Sequence, residues 1–155
     1  MSDTAAAPDD LIGRTGEPFE FVVELGKVRE FAHATQTTNP EYLEGPSPVS
    51  EATFLAAAQH WQTEKSNPLY GIPMDFKNIL HGEQEYVFHG EPPRAGTALT
   101  GLQRVENVFT KEGKRGGAMR FTVIVTEFRD STGKLVAEAR GTRIETGQTP
   151  PKAEA

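Results

Sequence analysis

The sequence predicts a single α+β domain in which a curved antiparallel sheet wraps round one long helix. Two observations carry this prediction. The apolar residues of "PVSEATFLAAAQHW" recur at helical spacing, whereas from Leu80 to Ile144 they recur at every second position. A third observation is the punctuation of that second half, where clusters of Gly, Pro, Asp and Ser separate the alternating runs.

Taken in order, residues 1–10 are rich in Ala, Asp and Pro, and residues 147–155 read GQTPPKAEA. Both are expected to be disordered tails, because they carry little apolar surface to offset the entropy of ordering. Residues 11–146 are the expected domain. Phe19 to Val23 alternates as a short strand, and Val28, Phe31 and Ala32 then share a helical face within Lys27 to Ala34. The principal helix is predicted over Ser50 to Lys65, opened by Ser47-Pro48 or by Ser50. Phe54, Leu55, Ala58 and Trp61 form its apolar face, and its run of alanines lets a sheet approach closely. Asn67-Pro68 and Gly71-Ile72-Pro73 end this region as loop.

Four strands are predicted beyond it. One face of each is marked by Leu80, Tyr86 and Phe88; by Leu99, Val105 and Phe109; by Met119, Phe121, Val123 and Val125; and by Val136, Thr142 and Ile144. Turns at Glu91 to Gly96, Lys111 to Gly117 and Asp130 to Lys134 connect them as a meander. Such long strands leave an edge that needs a partner or a covering element, and so a surface for dimerisation.

Composition narrows the function. The 155 residues hold 22 acidic against 16 basic side chains, a formal charge of −6. No basic stripe is present to follow a phosphate backbone, so nucleic acid is not an expected partner. No apolar run is long enough to span a bilayer, and the N-terminus lacks the basic start and apolar stretch of a signal peptide. A cytoplasmic location away from membranes is therefore expected. The absence of cysteine excludes disulfides, thiolate metal sites and a cysteine nucleophile.

Three phrases, "VVELGKVREFAHATQTTNPEY", "PVSEATFLAAAQHW" and "LHGEQEYVFHGEPPRAGTALTG", occur in an order that resembles the MaoC-like hot-dog family. The likeness is to the N-terminal dehydratase branch found in actinobacterial hydroxyacyl-thioester dehydratase subunits, and it extends over about residues 11 to 146. Its most specific piece is "LHGEQEYVFHGEPPRAG", with a His-x-x-Gln start, an aromatic middle and a Pro-x-x-Ala-Gly-like close. The resemblance implies a hot-dog fold, dimeric units and a place in fatty acid or steroid metabolism. It implies acyl thioesters of coenzyme A or acyl carrier protein as ligands. The implied reaction is reversible hydration of a trans-2-enoyl thioester to a (3R)-hydroxyacyl thioester.

Active members of the family resemble one another in an aspartate two residues before Asn-Pro and a histidine two residues after the Pro. These groups activate a water and move its proton, while a backbone amide polarises the thioester carbonyl. Here the matching positions hold Thr37 and Tyr42, around Asn39-Pro40. Threonine is no base near neutral pH, and tyrosine with a reference pKa of about 10 donates a hydrogen bond before it accepts a proton. The chain is therefore expected to have no catalytic dyad of its own. Thr37, Asn39, Tyr42, Gly45, Ser47 and Ser50 are the expected substrate-lining residues.

Three explanations stand side by side. A second MaoC-like subunit supplies the Asp/His pair in trans; or a homodimer uses Glu41, Glu44, His60 or His81 in its place; or the chain binds an acyl-coenzyme A or acyl-carrier-protein thioester without turnover. No metal, nicotinamide or flavin is expected, since adding water to an activated alkene needs no redox equivalent. Simpler readings apply elsewhere. His81 and His89 fall with Glu83, Glu85 and Val87 on one solvated strand face, His33 is a surface residue, and His60 is half-buried helix packing. The Lys111 to Arg115 cluster is a solvated hairpin end or a docking patch for an acidic carrier protein or coenzyme A phosphates.

Overall fold

The computed structural model describes residues 8–113 and 117–147. Most of each expected tail and part of the Lys111 to Arg115 cluster thus lie outside the described residues. The described chain begins with a helical turn, α1 (Pro8–Leu11), which buries Leu11 beside Leu69, Val105 and Val108.

A five-stranded antiparallel sheet organises the rest, in the order β1-β3-β4-β5-β2. Its strands are β1 (Phe19–Val22), β2 (Ile79–Phe88), β3 (Ala98–Glu112), β4 (Ala118–Arg129) and β5 (Leu135–Thr146). The meander expected of four strands holds only for β3-β4-β5: β2 pairs with β5 rather than with its successor β3, and β1 takes the place beside β3. The β4–β5 turn is held by Asp130, whose carboxylate accepts from the amides of Thr132 at 2.9 Å and Lys134 at 3.1 Å. Gly133 takes the positive φ of +83° that this turn requires.

Two β-bulges inside the long strands decide which side chains share a face there, and a third register shift, at Val136, interrupts the β4–β5 ladder near its turn. One inserts Gly82 between His81 and Glu83 of β2, and the other inserts Glu106 between Val105 and Asn107 of β3. Each shifts the alternation by one residue and adds bend and twist to its strand. Leu80 consequently does not share a face with Tyr86 and Phe88, and Phe109 does not share one with Leu99 and Val105. Val108 takes the inward place expected of Phe109, and Phe109 stacks on Phe121 across the outer face with centroids 4.9 Å apart.

The inner face is covered by α2 (Leu25–Ala34) and by a 3₁₀ helix, Phe54–Trp61. Phe21, fully buried, joins them: its ring meets Phe54, Trp61 and Phe128. The long α-helix expected over Ser50 to Lys65 is replaced by this single eight-residue 3₁₀ segment, followed by a separate turn, Glu64–Ser66. The residues explain the change. Phe54 with Ala57, and Leu55 with Ala58 and Trp61, repeat every three positions, and alanines tolerate the eclipsed side chains of a three-residue turn. Ser47 and Ser50 are not free to cap a helix, because Pro48 to Ser50 are tied to Pro93, Arg94 and Ala95 by backbone hydrogen bonds and the Val49–Arg94 bridge. Eight 3₁₀ residues rise about 16 Å, against roughly 24 Å for sixteen α-helical ones. Part of the inner face of the sheet is left uncovered.

Candidate functional site

The Thr37 to Ser50 segment is a stitched loop. Helix α2 ends at Thr35, and Gln36 follows in the left-handed region at φ 61°. The amide of Gln36 donates to the His33 carbonyl at 3.1 Å and that of Thr37 to Ala32 at 3.2 Å, the paired bonds of a left-handed helix stop. Asn39 then opens a short helix, α3 (Pro40–Leu43), by accepting from the Glu41 amide at 3.0 Å, with Pro40 in the first position. Asn39-Pro40 thus starts a helix rather than merely stopping one. Arg29 of α2 donates to the carbonyls of Leu43 and Gly45, at 3.1 and 2.9 Å, and pins the far side.

The six expected substrate residues take different places along this loop. Thr37 and Tyr42 are half-buried, and Asn39 and Gly45 are exposed. Ser47 donates to the Ala95 carbonyl at 2.7 Å. Ser50 is fully buried, and its hydroxyl has no partner among the described residues. A buried hydroxyl without a partner costs about 1–3 kcal/mol, which makes Ser50 the member of the set that most needs a ligand or a neighbouring chain.

The larger inner-face hollow lies elsewhere. A cavity of about 510 Å³ opens between the 3₁₀ helix and the sheet. Leu55 and Ala58 form its roof, Tyr86, Ile124, Phe128 and Ala139 its apolar floor, and His81, Gln84, Gln103 and Arg143 its polar part. None of the six loop residues lines it. Its volume lies in the range of small-molecule sites, and its mix of apolar wall with a few polar groups is that of a ligand pocket.

Sequence reasoning missed this polar set because of the Gly82 bulge. Strict alternation puts His81 outward with Glu83 and Glu85. In the structure His81 stands opposite Arg143, Gln84 opposite Gly141, and Tyr86 opposite Ala139, so all three face the cavity. Its imidazole Nε2 lies 3.4 Å from the Gln84 side-chain oxygen. His89 is on the other face, paired with Glu138 at 2.9 Å. The available signal was a glycine inside a strand pattern, which marks bulges. His60, expected to be half-buried, is exposed, as is His33.

Electrostatics divide the sheet sharply. The outer face carries an alternating chain of ion pairs, Arg129–Glu127–Arg104–Glu106–Arg140–Glu85. There the hydrogen bond from Arg140 holds the Glu106 carboxyl below its ordinary pKa, and that from Arg129 does the same for Glu127. Arg140 is correspondingly held more firmly protonated by Glu106 and Glu85. These side chains brace strands across Val125 and are not a reaction centre. The inner cavity has the opposite character: Arg143 is the one formally charged residue among the described residues lining it, and no carboxylate does so. Burial lowers the Arg143 pKa and raises that of Tyr86, each toward its neutral form. No group of three or more His, Asp or Glu among the described residues is placed to hold a metal ion, and no helix among them is long and apolar enough to cross a membrane.

Comparison with known proteins agrees with this architecture. A UPF0336 protein of Streptomyces griseus is 29% identical over 149 residues, covering 86% of this chain and 91% of that protein. The C-terminally truncated HadBC (3R-hydroxyacyl-ACP dehydratase) complex of Mycobacterium tuberculosis contains a chain that superposes with a TM-score of 0.71 at 23% identity, over 87% of this chain and 97% of that one. A chain of the ChsH1–ChsH2 complex of the same organism superposes with a TM-score of 0.62 at 14% identity, over 88% and 87%. These likenesses show the hot-dog fold. The model of the FAS1-like dehydratase domain region matches residues 10–139, and the chain belongs to that family of MaoC-like hot-dog dehydratases.

Proposed function

We propose that this chain is the acyl-binding half of a heteromeric (3R)-hydroxyacyl-thioester dehydratase, equivalently a trans-2-enoyl-thioester hydratase, and that a second hot-dog chain supplies the aspartate and histidine. The observation that carries the reading is the pairing of an acyl-sized cavity with the absence of a carboxylate among the described residues that line it. Thr37 and Tyr42 stand at the two dyad positions, and the cavity of about 510 Å³ is lined by no carboxylate among the described residues.

In hydration, the partner's base removes a proton from water as its oxygen bonds to the β-carbon. The electron pair moves to the thioester enolate, and the α-carbon then takes a proton from the partner's acid. This chain's part is to hold the acyl group in register with that water and to exclude bulk solvent. Leu55, Ala58, Ile124 and Phe128 supply the apolar walls. Tyr42 is the loop's hydrogen-bond donor toward a thioester at the shared boundary.

Two further observations support assembly with a second chain. Strand β2 pairs with β5 on one side only, leaving a ten-residue edge without a strand partner among the described residues. Such an edge is a template for strand addition. HadBC and ChsH1–ChsH2, whose folds this chain shares, are both described as complexes.

The test is hydration of crotonyl-coenzyme A and longer enoyl-coenzyme A esters by this chain alone and mixed with a hot-dog chain bearing the Asp-x-Asn-Pro-x-His phrase. Turnover is expected in the mixture only. Binding without turnover in the mixture would leave a thioester-binding protein. A second reading has one observation behind it, the position of His81 in the cavity wall. Full turnover by the isolated chain, abolished by His81→Ala, would replace a borrowed dyad with that histidine.

A further inference from the structure

The cavity changes character along its length. Five cross-strand rows form the inner face of the sheet, and they run from Phe88–Ala137–Phe128 through Tyr86–Ala139–Thr126 and Gln84–Gly141–Ile124 to His81–Arg143–Thr122 and, last, Ile79–Glu145–Arg120. Directly opposed residues share a face, so the apolar rows lie beneath the 3₁₀ helix, and the rows of Arg143 and Glu145 lie farther from it. From Ala139 to Arg143 is about 13 Å along the strand. An extended chain of roughly ten carbons is comparably long, taking carbon–carbon bonds of about 1.5 Å.

Two polar atoms in the Arg143 row are buried without a partner among the described residues: Arg143 Nε, and the hydroxyl of Thr122, a residue 1% exposed. Arg143 is also incompletely neutralised. It donates one NH₂ to Glu145 at 3.2 Å and the other to the Met74 sulfur at 2.8 Å. Glu145 is meanwhile shared with Arg120, which donates its Nε at 3.0 Å. Two guanidinium groups and one carboxylate leave a single positive charge, and His81 faces it across the ladder. In the cavity wall, a donor with no acceptor and an unbalanced cation, both on Arg143, together describe the complement of a carboxylate. With a ligand carboxylate in place, the signs alternate from Arg120 through Glu145 and Arg143 to the ligand.

We propose that the far end of the cavity binds a carboxylate on the acyl group itself, so that the preferred ligand is an ω-carboxyacyl thioester rather than a plain alkanoyl one. This rests on the acyl-thioester reading given above. Arg143 is then a specificity-determining residue that touches the end of the substrate remote from the reacting carbons.

The test compares binding of decanoyl-coenzyme A and decanedioyl-coenzyme A to the assembled protein by titration calorimetry. Both are saturated and cannot be hydrated, so binding is read without turnover. Tighter binding of the dicarboxylic ester by about tenfold or more is expected, from one charge-assisted hydrogen-bonded contact. Arg143→Gln should erase that difference, read as the ratio of the two affinities measured in the same variant. Arg143→Lys, which keeps the charge and removes the Nε donor, should reduce the preference, and serves if Arg143→Gln does not fold. Equal or weaker binding of the dicarboxylic ester by the wild-type protein overturns the proposal and leaves the acyl-thioester reading standing. Binding of neither ester overturns both. Loss of assembly in Arg143→Gln, with no ligand preference in the wild type, would assign the charge to a carboxylate of the neighbouring chain and likewise overturn it.

Discussion

Replacing Phe21 by Leu tests how the short helix is held on the sheet, and therefore whether the cavity has a fixed roof. Phe21 is fully buried, and its ring centroid lies 6.1 Å from that of Phe54, 5.1 Å from Trp61 and 5.9 Å from Phe128. The first two partners belong to the 3₁₀ helix and the third to β4. Leucine keeps the apolar character and removes all three ring pairs. Each pair is worth about 0.5–1.5 kcal/mol beyond its buried area, but pairs that share one ring are not additive, so about 2 kcal/mol is a reasonable aromatic loss. The cavity left by the smaller side chain adds about 1 kcal/mol. The expected loss, about 3 kcal/mol, is a substantial share of a typical domain stability of roughly 5–15 kcal/mol.

Urea unfolding followed by tryptophan emission reads this directly, because Trp61 is the single tryptophan of the chain and lies within the affected cluster. The midpoint should fall by about 1.5–2 M for a slope of roughly 1.5–2 kcal/mol/M, with the slope itself unchanged. Native-state emission should also shift to the red as Trp61 loses its edge contact. A loss below about 1 kcal/mol together with unshifted emission would mean that Phe21 does not anchor the helix, and the account of the cavity roof would fail with it.

Three other perturbations follow from the same geometry. Ser50→Ala removes a buried hydroxyl with no partner among the described residues, so the unliganded chain should gain about 1 kcal/mol; destabilisation on thermal unfolding would mean that the hydroxyl is already satisfied. Gln36→Gly relieves a left-handed residue at φ 61° and should stabilise by roughly 0.5–1 kcal/mol after the entropic cost of glycine; a loss of urea resistance would count against the strain. On acidification, Glu106 and Glu127 have folded pKa values depressed first by Arg140 and Arg129 respectively. Their contribution is therefore complete above the ordinary glutamate value of about 4.3 and is lost as pH falls through the lower folded values. Arg104→Met, which removes a partner common to both, should flatten that part of the stability profile; a parallel profile would show that the pairing with Arg104 is not coupled to folding.

Much of the fold was legible because its signals are local. The turn clusters at Glu91 to Gly96 and Asp130 to Lys134 bound runs that alternate regularly, and β1, β4 and β5 lie close to where those runs place them. The failures have physical causes. A bulge adds one residue and reverses every later side chain relative to the earlier ones, so His81 and Phe109 were assigned to the wrong faces although their strands were right. Gly82 offered a signal; Glu106 offered none, since a charged residue is unremarkable on a solvated strand. Arg143 was readable only as a charge in step with Ala137 and Ala139, the small residues of the inner face. The 3₁₀ helix was lost because apolar residues at positions 54, 55, 57, 58 and 61 satisfy periods of 3.0 and 3.6 almost equally. Only the bonds tying Pro48 to Ser50 to the Pro93 turn exclude the longer helix.

That short helix bears on division of labour between chains. A sixteen-residue α-helix along the sheet would cover about 24 Å of its inner face, and the 3₁₀ segment covers roughly 16 Å. The difference uncovers rows that hold Gln84, Gln103 and Arg143, side chains costly to bury under an apolar helix and useful beside a ligand. The same rows contain no carboxylate, whereas the outer face gathers its carboxylates into arginine-paired chains that fix their protonation. A surface organised in this way is suited to holding a ligand, and His81 is the lining side chain of the type that most often moves a proton. Perturbed pKa values alone would have directed attention to Glu106 and Glu127, on the wrong side of the sheet. Buried atoms of Ser50, Thr122 and Arg143 that lack a partner among the described residues are the better guide here, since each marks an interaction that these residues do not complete.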